Sequence, residues 1–301
     1  MKAAICGGTG YIGSALAKFW IQAGHEVLII GRSLPGKDSI VPGAVYLTWN
    51  ELQADPSPAE GCRVLVNLAG ATLSQRWSPD NKRLIMESRL KTVAAAGSLL
   101  DSLHRLPEAV IQASAVAIYG TSESAVFTEA SPSRVSDFPS EVVKEWEDAA
   151  DRSYRGVRLV KLRTGIVLGS KGGAFPKMKL PFLLGFGGRI GTGRQWMSWI
   201  HEDDMIALID YCSLNPVLSG PVNAVAPIPV TNAEFGRTVA RVYQRPYWFP
   251  LPASLLKTAL GELSQILLRG QRVLPAKLQE AGFNFGYPEL DSALRHLKSR
   301  A

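Results

Sequence analysis

Glycines at 7, 10 and 13 give the segment Gly7-Gly8-Thr9-Gly10-Tyr11-Ile12-Gly13 a GxxGxxG spacing, one residue different from GxGxxG. It follows the strand-like run Lys2-Ala3-Ala4-Ile5-Cys6 and precedes an amphipathic stretch and a second apolar run, Val27-Leu28-Ile29-Ile30. The three glycines do different things. The first permits a tight exit from a strand, the second lets backbone approach a pyrophosphate, and the third lets a helix sit close to the sheet. Such a helix start offers unpaired N–H groups and the positive end of its dipole to phosphates. The chemistry implied is dinucleotide binding. The bland alternative, a glycine-rich turn without a ligand, fits poorly with strand, helix and second strand in this order.

The second apolar run ends at Gly31-Arg32-Ser33. A nicotinamide dinucleotide without a 2′-phosphate calls for a carboxylate there, to accept hydrogen bonds from the ribose 2′-OH. Glu26 lies at the wrong end of the run and Asp38 several residues beyond it, while Arg32 occupies the acid's place. A charge-assisted bond from arginine to phosphate contributes about 1.5–3 kcal/mol, roughly ten- to a hundredfold in affinity, so the residues favour NADP(H). A solvated surface arginine is the competing reading. At a further strand end, the small residues of Asn67-Leu68-Ala69-Gly70 leave room for the cofactor to lie across the strand tips. Arg89, on the following helical segment, is placed either to reach the cofactor or simply to face solvent.

The elements needed to position these residues can be read from hydrophobic periodicity. Strand-like runs at 45–49, 64–68, 110–114 and 159–163 alternate with helical patterns at 79–103 and 141–154. This βα alternation predicts an α/β Rossmann-type doubly wound parallel sheet covered on both faces. Past residue 170 glycine and proline break the rhythm. There Thr231-Asn232-Ala233-Glu234 forms a capping-box pattern opening a helix towards Tyr243. Residues 246–252 read as an extended connector and 254–268 as one amphipathic helix. The division expected is an NADP-binding domain at 1–170, with 195–228 returning to it. A small, mostly helical cap is then formed by 171–194 and 229–301. Within the returning part, 199–210 and 222–226 are assigned to the main sheet.

Five segments together resemble the extended short-chain dehydrogenase/reductase superfamily: the glycine motif, Asn67-Leu68-Ala69-Gly70, Ser114-Ala115-Val116-Ala117-Ile118-Tyr119-Gly120, Leu162-Arg163-Thr164-Gly165-Ile166-Val167-Leu168-Gly169 and Trp199-Ile200-His201-Glu202-Asp203-Asp204. The likeness is closer to its atypical epimerase-family branch, whose members carry a short carboxyl-terminal domain of unknown function. The resemblance extends through Val222-Asn223-Ala224-Val225-Ala226-Pro227 and Leu278-Gln279-Glu280-Ala281-Gly282-Phe283. It implies an NADP-binding fold with contacts at Gly31, Arg32, Leu68, Ala69, Arg89 and Val167, and adds Ser114 and Arg163 to the cofactor candidates. No reaction comes with it.

The superfamily's chemistry pairs a tyrosine with a lysine four positions later, whose cation lowers the phenol's pKa from about 10 so that it exchanges a proton with a substrate alcohol. No tyrosine here has lysine at that offset, and the corresponding stretch reads Phe138-Pro139-Ser140-Glu141-Val142-Val143. Ser114, Tyr119 and Lys144 are the substitute catalytic candidates: a substrate-binding hydroxyl, an acid and a nearby cation. A structural hydroxyl is the alternative for Tyr119. His201 reads as a contact opening a helix rather than as a base.

Composition narrows the classes. At 301 residues the chain can bury a large core, and its three cysteines lie far apart without metal-ligand spacing. No metal site is indicated, and a reducing compartment is implied. The amino-terminal apolar run breaks at Gly7-Gly8, too early for a secretion signal, and no stretch is long enough for a membrane span. Cytoplasm is the expected location. The formal charge of +7 gathers in an acid-free segment between Asp151 and Glu202, which holds Arg152, Arg155, Arg158, Lys161, Arg163, Lys171, Lys177, Lys179, Arg189 and Arg194. Such a field attracts anions, while the absence of interleaved aromatics argues against nucleic acid. The expected partner is a small polar substrate, anionic if the field faces it. The expected function is that of an NADP(H)-dependent oxidoreductase or epimerase-like protein, or of a non-catalytic NADP(H) sensor.

Overall fold

The computed structural model describes residues 1–36 and 39–300, so Asp38 lies outside the described residues. The chain opens with β1 (Lys2–Cys6), α1 (Tyr11–Gln22), β2 (Glu26–Gly31) and β3 (Val45–Thr48). Thr48 and Glu51 close a capping box that starts α2 (Trp49–Ala54), and β4 (Val64–Asn67) follows. Ser78, with Pro79 behind it, starts α3 (Pro79–Ser102). Next come β5 (Ala109–Ala115), β6 (Val126–Phe127), α4 (Phe138–Ser153) capped by Asp137, β7 (Arg158–Thr164) and β8 (Ile166–Leu168). The remaining elements are α5 (Phe175–Leu183), β9 (Trp196–Met197), β10 (Trp199–His201), α6 (Glu202–Leu214), β11 (Gly220–Ala224) and β12 (Val230–Thr231). They are followed by α7 (Asn232–Tyr243), α8 (Ala253–Leu260), α9 (Gln265–Leu268), β13 (Arg272–Val273), α10 (Ala276–Glu280) and α11 (Leu290–Ser299).

Seven strands form one sheet in the order β11-β7-β5-β4-β1-β2-β3, every neighbouring pair parallel. The chain runs outward from β1 to β3 and then crosses back to β4, so the strand order reverses between β1 and β4. A crevice at the carboxyl ends of the strands opens at such a reversal. Alternation along β1 feeds both faces: Ala3 and Ile5 pack in the core with Leu16, Trp20 and Ile209 of α1 and α6, while Ala4 and Cys6 pack in the core with Val93, Trp146 and Ala150 of α3 and α4. A separate core around Phe175, Trp199, Phe235, Val239 and Leu294 unites α5, α7 and α11.

Two expectations need correction. The stretch from Trp199 does not rejoin the main sheet: among the described residues β10 pairs with β8 in a two-stranded sheet, whereas β11 does form the edge of the main one. The helix expected over 254–268 is broken into α8, a 3-10 turn and α9, because Gly261 adopts φ +57° and Ser264 Oγ donates to its carbonyl. The capping box at Thr231 and Glu234 forms, and α7 ends within the expected span.

The junction between β10 and α6 anchors the carboxyl-terminal helix. His201 is fully buried, and its Nδ1 accepts the Asp203 N–H, capping α6. Its Nε2 lies 3.2 Å from His296 Nδ1, and the Tyr287 ring stacks on both imidazoles. Asp204 accepts the N–H groups of Gly286 and Tyr287, and Arg300 donates to Asp203. Burial pushes the His201 imidazole down to about 4, and His296 and Arg300 add to this against the opposing pull of Asp203. The unfolded chain therefore takes up a proton at His201 below about pH 6.5 that the folded chain refuses until about 4. Stability from this group is complete above pH 6.5 and is lost as the pH falls towards 4, on the order of 3 kcal/mol in all. Urea unfolding at several pH values should show a steeper acid loss for the native sequence than for His201→Asn, which keeps a capping side chain without a titrating one. Parallel pH profiles for the two would contradict this assignment.

Candidate functional site

The site grows from the turn after β1. Gly7 has φ +79°, and a Cβ placed there would lie 2.9 Å from the Ala69 nitrogen. A Cβ on Gly13 would run into the Gly7 carbonyl, so both positions demand glycine for close approach. Gly10 is the N-cap of α1, exposed beside Thr9, and its N–H donates to Gly7 O at 3.0 Å. The helix start carries no acidic residue in its first turn and no side-chain cap. Among the described residues the N–H groups of Tyr11, Ile12 and Gly13 have no backbone acceptor. These donors and the dipole face the crevice between β1 and β4.

The Tyr11 side chain turns away from this crevice: its hydroxyl donates to the Glu202 carboxylate, and its ring packs on Gly169 and Gly172. Only its backbone belongs to the anion-facing turn. Ile12 and Val167 line a neighbouring cleft of about 450 Å³, together with Ser170, Lys171 and Glu202.

Gly31 is the last residue of β2, paired with Thr48, and Arg32 and Ser33 leave the sheet after it. Arg32 is exposed and, among the described residues, has no hydrogen bond or ion pair. At the end of β4, the Asn67 amide is buried and bonded to Gln112 and Tyr154, while its carbonyl oxygen accepts the Ala69 N–H. Asn67 thus shapes the Leu68–Gly70 bend instead of presenting its side chain to a ligand. Arg89 is buried beneath that bend, so the reading of it as a solvent-facing residue is set aside. Its Nη1 donates to Ala71 O and Ile85 O, its guanidinium lies over Trp146, and a Cβ on Gly70 would meet it at 3.1 Å. Burial lowers its pKa to about 10, and no carboxylate among the described residues neutralises it. A buried cation without an acid favours an anion at the strand tips.

Of the three substitute catalytic residues, Ser114 and Tyr119 share one hydrogen-bonded network and Lys144 does not join it. Ser114 Oγ donates to Glu147, which is bound on both oxygens by Arg163 at 2.8 and 2.9 Å. Arg163 also donates to the Tyr119 hydroxyl, which in turn donates to Asn223. Tyr119 is fully buried; burial raises its pKa, and Arg163 and Asn223 oppose the rise only in part. Burial likewise raises the Glu147 carboxyl, but bonds from Arg163 and Ser114 outweigh it and hold the group below its ordinary value. Lys144 is paired with Asp148 one turn along α4. Tyr119, Ser114 and Arg163 therefore form an interior network, because a guanidinium buried on β7, between β5 and β11, must be neutralised and hydrogen-bonded there. Where the tyrosine–lysine pair would fall, Phe138 packs edge-on against Trp77, and Val142 is buried with Ile85.

Arg158 is likewise tied down, to carbonyls at the end of α6, and Lys161 to Asp151 and Glu147, so the acid-free segment is not one continuous field. A part of it lines a larger cleft of about 690 Å³, whose walls include Arg189, Arg194, Trp196, Arg237, Tyr247 and Trp248. Arg194 pairs with Glu123 at 3.3 Å, and Glu234 is engaged by Thr231. Arg189 and Arg237 have no acidic partner among the described residues. Sequence reasoning flagged Arg189 and Arg194 but missed Arg237 and Trp248, whose approach depends on how α7 and the segment after it fold back. Among the described residues, His201, Asp203 and His296 bring ligand-type atoms within 4.8 Å of one another. The capping bond and the imidazole contact already engage both His201 nitrogens.

Residues 3–223 match the sequence pattern of the NAD dependent epimerase/dehydratase family, and residues 251–297 match a domain of unknown function, DUF1731. The chain is 40% identical over 299 residues to the epimerase family protein YfhF of Bacillus subtilis, covering 99% of this chain and 98% of that one. It is 38% identical to the chloroplastic SDR39U1 homologue of Arabidopsis thaliana, over 98% of this chain and 86% of the relative. Its fold is similar to the crystal structure of human epimerase family protein SDR39U1 (isoform 2) with NADPH: TM-score 0.91, 35% identity, all of both chains.

The network also separates a structural Tyr119 from a catalytic one. Tyr119→Phe removes the hydroxyl between Arg163 and Asn223 and should cost about 1–3 kcal/mol of stability. Calorimetric melting should fall while reduced-cofactor affinity stays within about twofold. A variant that melts as the native sequence does but loses all turnover would return Tyr119 to the chemistry.

Proposed function

As this chain belongs to the NAD dependent epimerase/dehydratase family and continues into the DUF1731 region, we propose that it binds NADP(H) across the β1–β4 crevice and acts on a small polar, anionic substrate as an oxidoreductase or epimerase-like protein. The carrying observation is Arg32: an exposed guanidinium without a partner among the described residues stands at the end of β2, where a carboxylate would select the unphosphorylated cofactor. The N–H groups of Tyr11, Ile12 and Gly13 suit the pyrophosphate, and Arg32 the 2′-phosphate. Arg89 adds positive potential beneath Leu68–Gly70, and Val167 borders the neighbouring cleft. When bound, the nicotinamide supplies hydride exchange. The relative solved with NADPH, 35% identical over its whole length, supports the same cofactor here.

The substrate reading is supported by the 690 Å³ cleft, where Arg189 and Arg237, without an ion-pair partner among the described residues, favour an anion. With Arg158, Lys161 and Arg163 tied to protein groups, the remaining cations suit a small ligand better than a nucleic acid. All three cysteines are free and buried, which fits a reducing compartment such as cytoplasm.

A second reading, a sensor that binds NADP(H) without turnover, is favoured by one observation: Phe138 and Val142 seal with apolar groups the place where a proton donor and its lysine would work. Stopped-flow absorbance of bound NADPH against a panel of carbonyl compounds and nucleotide sugars separates the two. Oxidation by any of them removes the sensor reading; a silent panel with intact binding favours it.

The cofactor assignment has its own test. Arg32→Ala should weaken NADPH binding about ten- to a hundredfold by calorimetry and leave NADH affinity nearly unchanged. Equal losses for both nucleotides would sink it.

A further inference from the structure

The 690 Å³ cleft is continuous with an apolar surface through one side chain. Trp248 lines the cleft and is 64% exposed; its Nε1 donates to Gly185 O, and its ring packs on Phe249 at 5.7 Å. Phe249 in turn meets Phe186 at 5.9 Å. Phe186 and Phe249 are exposed, as is Leu184, two residues before Phe186 in the chain. A contiguous exposed patch of large apolar side chains marks a contact with something apolar. On the other side of Trp248, Arg189 and Arg237 lack acidic partners among the described residues.

From this juxtaposition we infer that the cleft takes an amphiphile: an anionic phosphate or carboxylate head held by Arg189 and Arg237, with a hydrocarbon tail running over Trp248 onto Phe249, Phe186 and Leu184. The two halves explain each other. The head lies beside Arg189 and Arg237, which form no ion pair among the described residues although Glu123 and Glu234 also line the cleft, and the tail covers rings that otherwise face water. A purely polar anion would leave the patch unexplained, and a purely apolar ligand would leave two cations facing it. A cleft of this volume is also ordinary for a small organic ligand. The inference deepens the substrate reading above and rests on it for turnover, although binding can be tested alone.

The test is calorimetric titration of the full chain with methyl, butyl and octyl phosphate below the micelle-forming range. Octyl trimethylammonium and anionic phospholipid vesicles serve as further ligands, and NADPH is titrated into the same samples. A fully buried methylene contributes about fourfold in affinity, so partial burial of the added chain should still make octyl phosphate at least about tenfold tighter than methyl phosphate. Arg237→Gln should weaken the whole phosphate series by roughly tenfold. Leu184→Ser combined with Phe186→Ser should flatten the chain-length dependence while leaving methyl phosphate and NADPH unaffected. A flat series in the native chain, octyl trimethylammonium binding as tightly as octyl phosphate, or binding to vesicles alone would each overturn the inference. A chain that binds NADPH but shows a flat series fails on this inference alone. One that shows the series but does not bind NADPH supports the amphiphile and fails on the cofactor.

Discussion

The approach of α1 to the turn after β1 is the constraint on which the site depends. Any side chain at Gly13 would strike the Gly7 carbonyl, so helix and turn can touch only backbone to backbone. That contact aims the unpaired N–H groups of α1 at the crevice where the strand order reverses. With α1 pushed a few tenths of an ångström outward, the dipole would still exist but would face a different volume. Arg32, carried by β2, and Arg89, carried by α3, stand on either side of the donors that this close packing aims.

A second principle governs the interior at the far side of the sheet. Residues that look suited to chemistry, Ser114, Tyr119, Glu147 and Arg163, are arranged so that each satisfies another. A guanidinium removed from water requires this, because an unneutralised charge there costs far more than the network's own hydrogen bonds contribute. The same logic, left incomplete, is what makes other sites informative. Arg89, Arg189 and Arg237 are cations that form no ion pair among the described residues; Arg89 lies buried beneath the Leu68–Gly70 bend, and Arg189 and Arg237 line an open cleft.

The sheet was legible because both its signals are local: period-two apolar runs, and glycines whose spacing follows from the turn itself. The capping box at Thr231 and Glu234 was legible for the same reason, since its partners stand three residues apart. What escaped was non-local. That β10 pairs with β8 and not with the main sheet depends on where Gly165 lets the chain bend, packed against Ser198 and Val225. The burial of Tyr119 depends on Asn223, more than a hundred residues away, and no periodicity announces such a partner. Arg237 was invisible for a similar reason: on α7 it is one more polar residue on a solvent face, until Trp248 and Arg189 arrive beside it.

The anchoring of α11 has a kinetic consequence. Leu290, Leu294 and Leu297 complete a core begun by Phe175 and Trp199, and β11 completes the sheet only at Ala224. A ribosome emitting this chain thus releases the glycine turn well before Phe175, and the residues that close the second core more than a hundred positions after Phe175. Contacts of such sequence separation form slowly, and the apolar faces of α5 and α7 stay uncovered meanwhile. The nascent chain is most exposed to misassembly, and most in need of a holding chaperone, during synthesis of its last third.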